Sequence, residues 1–164
     1  MKENIVLIGM PGVGKSTLGV VLAKELGFQF VDADLLIQER ENRLLKEIIA
    51  EDGVEGFLKI ENDVNASIRA EKTVIATGGS VIYGSDAMEH LKEIGTVVYL
   101  KLDYDTLDSR LGNLKGRGVV LKDGQTLQDL YNERIPLYEK YADVIVDEGG
   151  LDLEQTLTQV LKQL

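Results

Sequence analysis

Apolar residues along this chain alternate between two rhythms. Ile5-Val6-Leu7-Ile8 is a continuous run bounded by Gly9. Such a run predicts a strand buried on both faces, as in a parallel sheet. The period then lengthens: Leu18, Val21, Leu22 and Leu26 share one helical face, and Gly27 is placed to end that helix. Residues 28–31 predict a second strand closing at Asp32. Residues 33–70 predict mostly helix, with Phe57, Ile60, Val64 and Ile68 as an apolar stripe. Strands are expected again at 73–76, running into Gly78-Gly79, and at 96–100 and 144–146. A last helix carries Leu153, Leu157, Val160, Leu161 and Leu164, opened by Asp152 and Gln155 as a capping pair. Strands that alternate with helices predict an α/β fold with a mostly parallel sheet. Residues 112–124 hold several glycines and lysines with little periodicity, the composition of a mobile surface loop.

The length of 164 residues suits one domain with one core. There is no cysteine, so disulfides and thiolate metal sites are excluded. The one histidine, His90, cannot build a zinc site by itself and reads as part of a solvated helix face. The formal net charge of −10 argues against nucleic acid or an anionic membrane as partner. It also means that any phosphate site must rest on a local cluster of positive charge. No apolar run is long enough to span a bilayer, and no signal peptide precedes the first motif, so a cytoplasmic protein is expected.

The strongest chemical signal is Gly9-Met10-Pro11-Gly12-Val13-Gly14-Lys15-Ser16, which fits G-x-x-x-x-G-K-[ST] at every fixed position. It lies between a predicted buried strand and a predicted amphipathic helix, the context the motif requires. Glycines let the backbone wrap around phosphates, and the following helix dipole adds positive potential. Lys15 can reach the β- and γ-phosphates, and the Ser16 hydroxyl can coordinate Mg²⁺. Binding of ATP or GTP follows. The motif alone does not separate kinases from ATPases, GTPases or switches. A GTPase would need a base-reading N-K-x-D segment, which this chain lacks. Asp32-Ala33-Asp34 closes the second strand, where carboxylates face the ligand crevice of such sheets. One carboxylate can serve Mg²⁺ and the other can take a proton from an acceptor hydroxyl. The plainer role for both is to cap a helix.

Together these residues resemble the shikimate kinase family, within the larger group related to nucleoside monophosphate kinases. The resemblance covers nearly the whole chain. It rests on the loop at 9–17, Asp32-x-Asp34, Glu55-x-Phe57 with Glu61, Gly78-Gly79, Arg110, Arg117, and Arg134-x-Pro136-Leu137-Tyr138. It implies a three-layer fold with a five-stranded parallel sheet in the order 2-3-1-4-5 and helices on both faces. It implies a substrate-binding region over about 33–61 and a lid over about 112–124, within a single domain acting as a monomer. It implies an ATP- and Mg²⁺-dependent kinase for a small-molecule acceptor. Gly12, Val13, Gly14, Lys15, Ser16 and Thr17 would hold the nucleotide, with Arg110 against the adenine and Arg117 closing with the lid. Ser16 and Asp32 would serve the metal. Asp34, Leu58, Glu61, Gly78, Gly79 and Arg134 would line the acceptor site, with Asp34 helping to activate its hydroxyl, and Lys15 and Arg117 would offset phosphate charge during transfer.

One departure bears on the acceptor. The family pattern on the substrate helix is F-R-x-x-E, whereas this chain has Phe57-Leu58-Lys59-Ile60-Glu61. Leu58 offers a carboxylate nothing equivalent to an arginine fork. It also leaves Glu61, one turn on, without a cation. Three readings stay open from sequence: shikimate as acceptor, another small hydroxylated metabolite, or a nucleotide-dependent binder with little turnover. Two milder departures are Ser80 in place of a third glycine and Gly118 in place of the proline after the lid arginine.

Overall fold

The structure, a computed structural model, describes residues 3–111 and 124–164. The expected lid over 112–124, with Arg117 and Gly118, therefore lies outside the described residues except for Gly124. Five strands form one parallel sheet: β1 (Asn4–Ile8), β2 (Gln29–Asp32), β3 (Thr73–Ala76), β4 (Gly95–Lys101) and β5 (Val144–Asp147). Their spatial order is β2-β3-β1-β4-β5, as the resemblance implied. Helix α1 (Lys15–Leu26) and helix α7 (Leu153–Gln163) pack together on one face. On the other lie α3 (Leu45–Ala66), α4 (Ser85–Ile94) and α6 (Leu127–Tyr141). Two short helices, α2 (Ala33–Glu41) and α5 (Tyr104–Arg110), follow the ends of β2 and β4.

The central strand explains why the apolar runs are continuous. Ile5, Val6, Leu7 and Ile8 are all buried, with helices above and below them. Asn4 begins the strand and is also buried, but it is fully used. Its Nδ2 donates to the carbonyls of Ala70 and Ile94 at 2.9 and 3.0 Å, and its Oδ1 accepts from Thr73 N at 3.0 Å. One side chain thus ties the starts of β1, β3 and β4, and no buried polar group is orphaned there. The C-terminal ends of β1, β2 and β3 meet at the opposite edge, and the cleft opens on that edge.

Several sequence expectations need correction. The helical stretch from 33 is divided: Asn42 adopts a left-handed conformation (φ 54°) that ends α2, and Gly53 (φ 76°, ψ 175°) kinks α3. Ile68 is buried as expected, but it lies beyond the end of α3, and Ile60 is only half-buried. In α7 the buried positions are Thr156 and Val160, whereas Leu153, Leu161 and Leu164 are exposed. The helix lies against β5, an edge strand, and α1, so only a narrow stripe finds cover. Its capping box forms as expected, with Gln155 N donating to Asp152 Oδ1 at 2.8 Å. His90 is half-buried rather than solvated, its Nε2 donating to the Ile68 carbonyl at 2.6 Å. Among the described residues no helix is long and apolar enough to cross a membrane.

Candidate active site

The glycine-rich loop leaves β1 and turns into α1. Gly12 and Gly14 have φ of 91° and 87°, a region where side chains are disfavoured. Gly14 stands at the N-cap of α1 and has no side chain to occupy the helix amides, which leaves them for an anion. The Val13 amide donates to the Met10 carbonyl at 3.3 Å, and the Val13 side chain is buried in the core. Lys15 is 8% exposed and folds back over the loop, donating from Nζ to the Gly9 and Met10 carbonyls at 2.8 and 3.0 Å. Burial lowers its pKa to about 8, against the opposing pull of Asp34. Arg110 ends α5 and donates from Nη1 to the Gly12 carbonyl at 2.9 Å. The loop therefore gathers two cations in a chain of net negative charge.

Asp32 takes the capping role and also meets Ser16. It caps α2, its Oδ1 accepting from Asp34 N at 2.9 Å, and its Oδ2 accepts from the Ser16 hydroxyl at 3.0 Å. A hydroxyl and a carboxylate side by side at the mouth of a phosphate loop suit Mg²⁺, a hard ion that prefers oxygen. Among the described residues there is no group of three or more His, Cys, Asp or Glu that would cage a metal alone. Mg²⁺ needs none, since it keeps waters and takes phosphate oxygens. The residues present fit both the ion and a nucleoside triphosphate tail.

Next to this loop is a cleft of about 350 Å³, lined by Pro11, Gly12, Gly14, Lys15, Ser16, Thr17, Asp34, Thr77, Gly78 and Gly79. Asp34 sits in the first turn of α2, and burial raises its carboxyl to about 6, with the charge of Asp32 adding to the effect. Gly78 and Gly79 are required by close approach. A Cβ on Gly78 would lie 2.7 Å from Asp34 Oδ1 and 2.9 Å from Glu61 Oε2. One on Gly79 would lie 2.8 Å from Arg134 Nη1 and from Pro11.

Arg134 comes from α6 and is 1% exposed. Its guanidinium is 5.5 Å from the Tyr83 ring centroid, yet Nε and Nη2 are buried without a hydrogen-bond partner. A buried guanidinium with two unpartnered nitrogens is expensive unless an anion completes it. Tyr138, one turn on, donates to the Gly79 carbonyl at 2.7 Å and holds the glycine turn in place.

Glu61, on α3, is 2% exposed. Its Oε1 accepts from the Ser80 hydroxyl at 2.6 Å, while Oε2 has no partner. Burial pushes this carboxyl up to about 7, and the Ser80 bond works against that rise. Leu58 is half-buried and packs with the small apolar cluster of Ile37, Ile48, Phe57 and Val64.

The sequence named Lys15, Ser16, Thr17, Asp32, Asp34, Glu61, Gly78, Gly79, Arg110 and Arg134, and all of these gather around the cleft. Leu58 is instead accommodated as an apolar packing residue. Sequence reasoning missed the Ser80–Glu61 bond, the Tyr83 face under Arg134, and Glu148. That residue is 9% exposed at the end of β5, with Oε2 unpartnered. Burial raises its carboxyl to about 7, opposed by the charges of Arg110 and Lys15. No local sequence signal marks any of the three, since their partners come from other elements.

Comparison with known proteins agrees with this geometry. The family model described as "Shikimate kinase" matches residues 11–164. The shikimate kinase of Thermodesulfovibrio yellowstonii is 35% identical, covering 98% of this chain and 94% of that one. The shikimate kinase of Francisella philomiragia is 38% identical, covering 96% and 92%. Among solved structures, shikimate kinase from Acinetobacter baumannii in complex with shikimate superposes with a TM-score of 0.88. It is 30% identical, and the match covers 99% of this chain and 93% of that one. With the family model covering residues 11–164 and relatives 35–38% identical along nearly the full length, the chain belongs to the shikimate kinase family.

Proposed function

We propose that this protein transfers the γ-phosphoryl group of ATP to a hydroxyl of shikimate, giving ADP and shikimate 3-phosphate. The observation that carries this reading is the buried Arg134, with two unpartnered nitrogen atoms, beside the Gly78-Gly79 turn and Asp34. A small acid with hydroxyls satisfies all three at once. Its carboxylate completes Arg134, and its hydroxyls meet Asp34 and Glu61. The solved relative from A. baumannii, which holds shikimate, supports this choice of acceptor.

The residues divide the work by position. The amides of the glycine loop and Lys15 hold the phosphate tail as substrate. Ser16 and Asp32 would hold Mg²⁺, which supplies charge neutralisation between phosphate oxygens when bound. Arg110, at the loop's outer rim, would lie against the adenine. Asp34 orients the acceptor hydroxyl and receives its proton as the oxygen–phosphorus bond forms and the bond to the ADP oxygen breaks. Phosphoryl transfer depends mainly on positioning and charge neutralisation, which these groups provide. Arg117 and the segment over 112–124 would close the cleft and exclude water. Residues 33–61 would form the substrate-binding region. The site is built from one chain, which fits action as a monomer, and a cytoplasmic location would supply its ATP.

A coupled ADP-release assay with magnesium and a panel of hydroxylated acids, sugars and amino alcohols tests the reading. Shikimate is expected to drive ADP release, and chelation of the metal to stop it. Leu58, packed as an apolar residue, favours a second reading in which another small hydroxylated metabolite is the acceptor. Release driven by a different panel member, with none from shikimate at millimolar concentration, would establish that alternative.

A further inference from the structure

The two departures at Leu58 and Ser80 lie far apart in sequence but meet at Glu61. An arginine one turn before Glu61 on the same helix face would be its natural partner. Leu58 removes that partner and packs with Phe57 and Ile48 instead. Ser80 opens the short 3₁₀ turn Val81–Tyr83, which packs against α3. Its hydroxyl donates to Glu61 Oε1 at 2.6 Å, and both residues are at least 95% buried. A glycine at position 80 would leave Oε1 without this bond.

The two possible partners differ in what they leave over. An arginine fork engages both carboxylate oxygens. A hydroxyl has one proton and engages one. The buried Oε2 is accordingly unpartnered, and it faces the same point over Gly78 as Asp34 Oδ1. On the far side of the turn, Arg134 presents Nε and Nη2, also unpartnered. Asp34 lines the cleft, and the buried Glu61 carboxylate and Arg134 guanidinium lie directly against Gly78 and Gly79 of its wall.

Resting on the proposed function, we propose that Ser80 is a positioning residue for the acceptor: its hydroxyl replaces the arginine absent at Leu58 and holds Glu61 with Oε2 turned to the acceptor's hydroxyl groups. Recognition here leans more on hydroxyls, and less on the carboxylate, than it would with two arginines.

A cycle of variants, titrated separately with shikimate and with ATP by calorimetry, tests the inference. Ser80→Ala is expected to weaken shikimate on the order of tenfold, the usual weight of a hydrogen bond to a charged group, and to leave ATP binding unchanged. Ser80→Gly, which removes the hydroxyl without adding a methyl, is expected to match it. Leu58→Arg should restore most of the affinity in the Ser80→Ala background and gain less in the wild type. Equal weakening of both ligands would overturn the inference, as would two substitutions whose effects simply multiply. Shikimate binding to the wild type that is indifferent to Ser80 removes the inference alone. No shikimate binding to the wild type removes the proposed function as well.

Discussion

At the phosphate end of the cleft, a contiguous run from Gly9 to Ser16 supplies almost everything: amides, a lysine and a hydroxyl held by Asp32. At the acceptor end, Asp34, Glu61, Ser80 and Arg134 come from different elements and meet only in the folded chain. The first end works through backbone geometry, which few sequences can reproduce. The second works through side chains, so one partner can be exchanged for another if the remaining groups are satisfied. Ser80 in place of a glycine, beside Leu58 in place of an arginine, is such an exchange. The ends therefore differ in how they should respond to substitution.

The largest separation is expected from Arg134→Met. Loss of the buried guanidinium should reduce kcat/KM for shikimate by roughly 30- to several-thousand-fold, the range for removing one side of a buried charge pair, about 2–5 kcal/mol. ATP affinity should stay within about twofold. Because a buried charge with two unpartnered nitrogens leaves the core, the melting temperature should not fall. A variant that melts early but keeps its shikimate affinity would show Arg134 to be a structural residue. Lys15→Ala is the counterpart at the other end. It should lower turnover by on the order of 10²–10³-fold, as for other preorganised donors to a transition state, and leave shikimate binding intact. Comparable losses of both ligands in either variant would erase the distinction between the ends.

A smaller effect is expected in stability against pH. The Glu61 carboxyl has its pKa raised by burial from 4.5 to about 7, so the folded state holds the proton more tightly than the unfolded chain. Its contribution is fully present below about 4.5 and is lost as pH rises toward about 7. Glu148 acts in the same direction over the same window. Glu61→Gln removes one share and keeps an oxygen for the Ser80 hydroxyl. Relative to wild type it should be stabilised more at pH 8 than at pH 5, by on the order of a few kcal/mol at most. Denaturant melts at the two pH values measure this, and an equal offset at both would contradict the burial assigned to Glu61.

The same contrast explains what could be read in advance. The buried central strand and the phosphate loop follow from local patterns, and the loop motif already contains its own contacts, whereas the sheet order followed only from the family resemblance. Asp34 was marked by its place at the end of the second strand and Arg134 by resemblance, but not the burial of Arg134 or its two unpartnered nitrogens, since both depend on how α6 packs beside the Gly78-Gly79 turn. Leu58 and Ser80 were each visible as departures. Their connection was not, because residues 61 and 80 meet only when α3 packs against the 3₁₀ turn. The break at Gly53 had a local signal, the Asp52-Gly53 pair, that the apolar stripe of the following helix concealed. The exposed leucines of α7 had none, because exposure there depends on a helix lying at the sheet's edge.

The two ends act as one catalyst only if phosphate leaving ATP arrives on the acceptor. ³¹P NMR of a single mixture of protein, magnesium, ATP and shikimate follows this directly. The account predicts loss of the γ-phosphate resonance in step with growth of a new phosphomonoester resonance, and no change when shikimate is omitted. Inorganic phosphate as the product at the same rate with or without shikimate would contradict it.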